Sequence, residues 1–308
     1  MEAPQSFPAH ASVDGYTSRF INASDGLKLH ARDYGTANAT ALPVVCLPGL
    51  TRTAADFHAL ALALSCDDAS PRRVIAIDSR GRGLSEHDRD PRNYAVPVEL
   101  NDARTVLAAL NVQRAIFVGT SRGGILTMVL AAVAPTLLAG AVLNDIGPVI
   151  EMAGLMRIKS YVGKLPQPRD IADAGEILKR MFASQFPRLS NAQWREVAAL
   201  TWHVAPDGRP ALSYDPQIAL TLADVDPAKP APTLWPQFEA LKSVPMMVIR
   251  GLLSDLLSAA TVEAMRARHP KLEVVEAPDE GHPPALGTPT MIAKIRAFCL
   301  RCDRAATR

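Results

Sequence analysis

Short, wholly apolar runs alternate along the chain with longer stretches whose apolar residues recur every third or fourth position. The first pattern predicts buried strands and the second predicts helices packed by one face. Strands are expected at 44–47, 73–77, 115–119, 139–143, 246–250 and 272–276. Helices are expected at 54–64, 97–110, from 125 onward, at 259–268 and at 288–302. In the helix at 97–110, Leu100, Ala103, Val106, Leu107 and Leu110 fall on one side. Ahead of these, 18–22 and 27–35 read as a hairpin turning at Ser24-Asp25-Gly26.

Apolar strands alternating with helices imply an α/β fold, a parallel sheet covered on both faces and joined by right-handed crossovers. The alternation breaks between 147 and 235. Strand patterns vanish there, and amphipathic helices are expected near 149–163, 171–184, 191–203 and, more briefly, 217–223. Seven prolines from Pro206 to Pro236 predict a stiff, irregular return. Residues 147–235 therefore read as an all-helical cap inserted into a core made of 1–146 and 236–308. Such a cap lies over the carboxyl edge of the sheet, where ligands of these folds bind.

One strand-to-helix corner carries the chemistry. Gly119-Thr120-Ser121-Arg122-Gly123-Gly124 follows an apolar strand and precedes an apolar helix, and the glycines on either side allow a turn tight enough to expose Ser121. A serine hydroxyl attacks only when a base takes its proton, and that base needs a carboxylate to orient it. Of the seven histidines, His282 in Glu280-Gly281-His282-Pro283 follows the last expected strand. His58, His203 and His269 fall in or at the end of helices, while His10, His30 and His87 lie in polar surroundings. Asp255, just beyond the strand at 246–250, is the expected acid, giving the order Ser, Asp, His along the chain. Asp145 also ends a strand and is the alternative, although Asn144-Asp145-Ile146-Gly147-Pro148 reads equally as a turn. The backbone N–H groups of Leu50, after Pro48-Gly49, and of Arg122 are the expected donors to an oxyanion.

Composition narrows the partners. The 308 residues are 48% hydrophobic and carry a formal charge of +2, with 33 basic and 31 acidic residues interspersed. No charge field marks a nucleic acid or an anionic membrane as partner. Arg80 to Arg92 is balanced by Asp78, Glu86, Asp88 and Asp90 and reads as a solvated loop. Cys46 falls in a buried strand, and Cys299-x-x-Cys302 lacks the second pair that a zinc site needs, so metal or redox chemistry is not expected. With no apolar signal at the start and no run long enough to span a bilayer, the cytoplasm is the expected setting.

These motifs together resemble the α/β-hydrolase fold superfamily over nearly the whole chain. The resemblance rests on Leu47-Pro48-Gly49-Leu50, Asp78-Ser79-Arg80-Gly81-Arg82-Gly83-Leu84-Ser85, the Ser121 corner, Arg250-Gly251-Leu252-Leu253-Ser254-Asp255 and Gly281-His282. It implies an eight-stranded, mostly parallel sheet with a helical cap after the sixth strand, and a serine triad needing no cofactor and no metal. Leu47-Pro48 stands where many members have His-Gly. Serine at the corner, instead of aspartate, argues against dehalogenase and epoxide hydrolase chemistry.

A small-molecule ester is the expected substrate, with lactone, amide and carbon–carbon bond cleavage as alternatives on the same triad, and a noncatalytic ligand receptor as the alternative of another class. Arg52 or Arg122 could hold a free carboxylate on the substrate, making a monoester of a dicarboxylic acid preferred. Met152, Met156 and Trp202 could line an apolar pocket. Oligomeric state has no signature in the sequence.

Overall fold

The computed structural model describes residues 14–229 and 231–307. Its strands are β1 (Tyr16–Asn22), β2 (Lys28–Tyr34), β3 (Val44–Leu47), β4 (Val74–Asp78), β5 (Ala115–Thr120), β6 (Leu138–Asn144), β7 (Trp202–Val204), β8 (Pro210–Leu212), β9 (Met246–Gly251) and β10 (Glu273–Ala277). Its helices are α1 (His58–Ser65), α2 (Val96–Ala109), α3 (Arg122–Val133), α4 (Met152–Tyr161), α5 (Ile171–Phe182), α6 (Asn191–Thr201), α7 (Trp235–Glu239), α8 (Ala259–Arg268) and α9 (Pro289–Ala306). The strands form an eight-stranded sheet in the order β1-β2-β4-β3-β5-β6-β9-β10, with β7 and β8 pairing separately. The β1–β2 hairpin joins antiparallel, and the strands from β4 to β10 run parallel.

Every residue of β3, β4, β5 and β6 is buried, which is why these strands read as unbroken apolar runs. Alternation is still present, but it separates the two faces from each other and not core from solvent. Val45, Leu47, Ile75, Ile77, Phe117 and Leu143 pack on one face with α2 residues Leu100, Ala103, Val106 and Leu107. Val44, Cys46, Val74, Ala76, Ile116 and Val142 pack on the other with Ile295, Phe298, Cys299 and Cys302 of α9. The cysteines of that second face are buried free thiols that fill space.

Register brings the strand ends level. Gly119 pairs with Leu47 and Leu143, Thr120 with Asn144, and Asn144 with Ile249. Residues one step beyond these ends, including Ser121 and Asp145, therefore emerge side by side at the carboxyl edge.

The segment between β6 and β9 is not all-helical. It contains α4, α5, α6, a seven-residue 3-10 stretch at Pro216–Leu222 and the β7–β8 hairpin, in which Trp202 pairs with Leu212 and Val204 with Pro210. Pro206-Asp207-Gly208 makes the turn, with Gly208 at φ +83° and Ala205 N–H donating to Arg209 O at 2.8 Å. The prolines mark a hairpin turn here, and His203 lies in a strand where a helix was expected. Ala174, Leu178, Trp194, Ala198 and Trp202 give the segment its own small core. Nor is the 80–92 stretch simply a solvated loop. Arg80 and Arg82 are buried, because their partners, Asp102 and Glu99, arrive from α2.

Candidate active site

Ser121 joins β5 to α3 with φ 50° and ψ −111°, a conformation that costs a non-glycine residue about 1–3 kcal/mol. Backbone bonds on both sides hold it there: Ser121 N–H donates to Asn144 O at 3.0 Å, and Ser121 O accepts from Gly124 N–H at 2.9 Å. The flanking glycines are required by close approach. A Cβ on Gly119 would lie 2.5 Å from Gly123 O, and one on Gly123 would lie 2.0 Å from Leu47 O. The corner is thus wedged between β3 and its own helix.

His282 follows β10 and turns back over this corner. Its Nε2 lies 2.9 Å from Ser121 Oγ, and its Nδ1 lies 2.8 Å from Asp145 Oδ2. A carboxylate only accepts, so Nδ1–H donates to Asp145, leaving Nε2 of the neutral ring to receive the serine proton. Asp145 stands one residue past β6 at φ +52°, a left-handed conformation that aspartate tolerates better than most residues. Its carboxylate also accepts from Gly251 N–H at 2.8 Å and from the Ser254 hydroxyl at 2.5 Å.

The expected acid, Asp255, is not beside His282. Beyond β9 the chain turns, with Ser254 N–H donating to Gly251 O, and Asp255 forms a two-bond ion pair with Arg157 of α4 at 2.6 and 2.8 Å. Burial pushes its carboxyl up, but the Arg157 bonds outweigh this and hold it below the usual carboxylate range. The alternative, Asp145, is the residue placed against the imidazole. A second chain of the same residue types, Ser18–His30–Asp78, has bonds of 3.1 and 2.7 Å. Ser18, however, lies within regular strand β1, paired with Arg32, and has no turn that would expose its hydroxyl to an attacking geometry.

Leu50 and Arg122 flank the corner. A Cβ on Gly49 would sit 3.8 Å from Ser121 Cβ, so the 48–52 loop lies against the serine. Arg122 opens α3, and its N–H belongs to the first turn, where no helical carbonyl is available behind it.

A model of the alpha/beta hydrolase family matches residues 44–295. The chain belongs to that family. The 3-hydroxybutyrate-oligomer hydrolase of Cupriavidus necator is 37% identical over 282 residues, covering 89% of this chain and 94% of the relative. The 2-(acetamidomethylene)succinate hydrolase of Mesorhizobium japonicum is 26% identical over 274 residues, covering 89% and 91%. A crystal structure of an alpha/beta hydrolase from Novosphingobium aromaticivorans superposes with a TM-score of 0.86 at 38% identity, covering 94% of this chain and 100% of that one.

The remaining expected binding residues of this alpha/beta hydrolase are placed less uniformly. Arg52 binds Asp56 through Nε and Nη2 at 2.6 and 2.7 Å, and its Nη1 donates to Thr201 Oγ1 at 2.7 Å. All three nitrogens are thereby engaged. The Arg122 side chain turns to Glu99 and to Tyr94 O, at 2.7 and 3.0 Å. Trp202 is buried in the core of the inserted segment, which explains its apolar signal without a pocket. Met152 and Met156 are half-buried on α4. Among the described residues no group of His, Cys, Asp and Glu is placed to hold a metal ion.

Three residues escaped the sequence reading: Ser254, Glu99 and Arg82. Ser254 was visible only as the neighbour of Asp255. Glu99 and Arg82 are a buried acid and base seventeen positions apart, and nothing in their spacing tells that they meet.

Proposed function

We propose that this alpha/beta hydrolase is a serine esterase acting through Ser121, His282 and Asp145. The observation that carries the reading is the continuous Ser121–His282–Asp145 hydrogen-bonded chain at a strained strand-to-helix corner. Ser121 Oγ attacks the ester carbonyl as His282 Nε2 takes its proton. Asp145 fixes the tautomer and stabilises the imidazolium. The N–H groups of Leu50 and Arg122 receive the oxyanion, and the α3 N-terminus adds favourable field. His282 then protonates the departing alcohol, and water, activated by the same imidazole, releases the acid from the acyl-enzyme.

For the substrate we propose a short hydroxyacid oligoester, a monoester with a free carboxylate. The likeness to a hydrolase of 3-hydroxybutyrate oligomers over most of both chains supports this class. A second reading, hydrolysis of an amide on a dicarboxylate, is favoured by the weaker likeness to 2-(acetamidomethylene)succinate hydrolase. In either reading, residues 147–235 act as a cap: Arg157 reaches Asp255, and Gln185 Oε1 accepts from His282 N–H at 3.3 Å.

The test is turnover of 3-hydroxybutyrate dimer and trimer, with p-nitrophenyl butyrate and an amide analogue alongside and Ser121→Ala as control. The proposal expects Ser121-dependent ester cleavage, falling at least a thousandfold, roughly, in the variant. Binding without turnover would make the chain a receptor on this scaffold.

A further inference from the structure

We propose that Arg157 and Tyr161, one turn apart on α4, form the subsite for the free carboxylate of the substrate, an assignment that rests on the ester reading above. Positions i and i+4 share a helix face, so Arg157 and Tyr161 project from the same side of α4 and interact electrostatically. Asp255 occupies the Nε and Nη2 positions of Arg157 at 2.6 and 2.8 Å. A guanidinium has five N–H donors around its plane, so one bidentate partner orients it and leaves the Nη1 side for a second acceptor. Arg52 has no such spare nitrogen, and Arg122 is turned away to Glu99.

Connections on both sides place this pair beside the reaction centre. Asp255 adjoins Ser254, which donates to Asp145, and Gln185 of the same inserted segment accepts from His282 N–H. On the other side, Tyr161 lies within the field of Arg52, whose stem packs near Gly49 in the loop against Ser121. Tyr161 therefore lies in the fields of two cations, Arg157 on its own helix and Arg52 beside the oxyanion loop. Burial raises the phenol pKa against the pull of Arg157 and Arg52, so the hydroxyl stays protonated and able to donate.

The Arg157–Asp255 pair is more than a helix anchor. The start of α4 is already fixed to the same loop by backbone bonds: Glu151 N–H to Leu256 O and Gly154 N–H to Asp255 O, both at 3.0 Å. Gly154 packs so closely that a Cβ would lie 2.7 Å from Asp255 O. A helix docked through its backbone does not need a half-buried arginine to hold it, whereas recognition of an anion does.

The experiment compares kcat and KM for 3-hydroxybutyrate dimer as its free acid and as its methyl ester, in wild type, Arg157→Met, Arg157→Lys, Tyr161→Phe and Ser121→Ala, with a thermal melt of each. Wild type should prefer the acid. Arg157→Met should raise KM for the acid by about 30-fold and change the methyl ester by less than about threefold, with Arg157→Lys recovering part of the loss. Tyr161→Phe, which keeps the ring, should raise KM for the acid by about five-fold through the lost hydrogen bond. Equal treatment of acid and methyl ester by wild type, or a parallel loss on both in the variants, would overturn the subsite while leaving the esterase intact. Wild-type protein that cleaves neither ester, or cleaves both without Ser121, would overturn the esterase reading itself.

Discussion

Arg82 Nε donates to the carbonyl of Leu50 at 2.8 Å, tying the loop after β3 to a buried relay that ends at the first residue of α3. Arg82 Nη1 binds Glu99 Oε1 at 2.7 Å, and Glu99 Oε2 accepts from Arg122 Nε, also at 2.7 Å. One carboxylate thus connects both residues whose N–H groups are proposed to receive the oxyanion. Burial presses against the charge of Arg82, Glu99 offsets it in part, and Arg122 adds repulsion, so its pKa falls below the ordinary arginine value.

Glu99→Gln should therefore damage both stability and rate. Removing one partner of a buried pair costs about 3–5 kcal/mol, which at this size lowers Tm by about 5–8 °C. Loosening the loop against α3 should also lower kcat by about tenfold with KM less affected. Thermal melts and p-nitrophenyl butyrate kinetics at a temperature where the variant is folded separate the two effects. A fall in Tm with unchanged kcat would confine Glu99 to structure.

The two acids separate by substitution. Asp145→Asn should cost about 10⁴ in kcat, because the amide supports the wrong imidazole tautomer. Asp255→Asn should leave turnover of a neutral p-nitrophenyl ester within about tenfold of wild type, because its partner is Arg157 and not the imidazole. The reverse ranking would restore Asp255 as the acid.

Ser254 donates to the same Asp145 oxygen that meets His282, while its own Oγ accepts from Leu256 N–H and Leu257 N–H, both at 3.2 Å. Ser254→Ala removes the hydroxyl that limits how Asp145 can turn. A hydrogen bond to a charged group is worth about 1.5–3 kcal/mol, so kcat should fall by about tenfold or more with KM nearly constant. Steady-state kinetics on the neutral ester check this, and a change confined to KM would rule out a positioning role.

What the sequence made legible follows burial and tight sterics. Strands β3 to β6 are covered on both faces, so nothing polar interrupts them and their limits read within a residue or two. The Gly119, Ser121, Gly123 spacing is legible because a Cβ at either glycine meets backbone. Asp145 was harder, since the residue that accepts from His282 also makes a left-handed turn, and a turn former needs no further explanation. Which of two strand-ending carboxylates reaches His282, the one 137 residues before it or the much nearer Asp255, depends on how the loop after β9 turns. That turn is set by Gly251, Ser254 and the docking of α4, none of which has a periodic signature. The β7–β8 hairpin failed for a different reason: three-residue strands are too short for alternation to show, and the prolines beside them argued for irregularity.

The loop bearing His282 carries its own pH dependence through Glu280. This carboxyl is half-buried and accepts from Ala285 N–H at 2.7 Å. Burial raises its pKa above the ordinary 4.5, and the Ala285 bond only partly opposes the shift. In the unfolded chain the same group titrates near its ordinary value. Folding therefore loses stability from this site as pH rises from the unfolded value through the raised folded one, and stays penalised at neutral pH. Gln at this position can still accept from Ala285 while carrying no charge to desolvate. Glu280→Gln should raise Tm at pH 8, and the gain should shrink markedly by pH 4, where wild type is mostly protonated in both states. Melts at the two pH values check the sign, and a gain that persists unchanged at pH 4 would show that the buried charge is not its source.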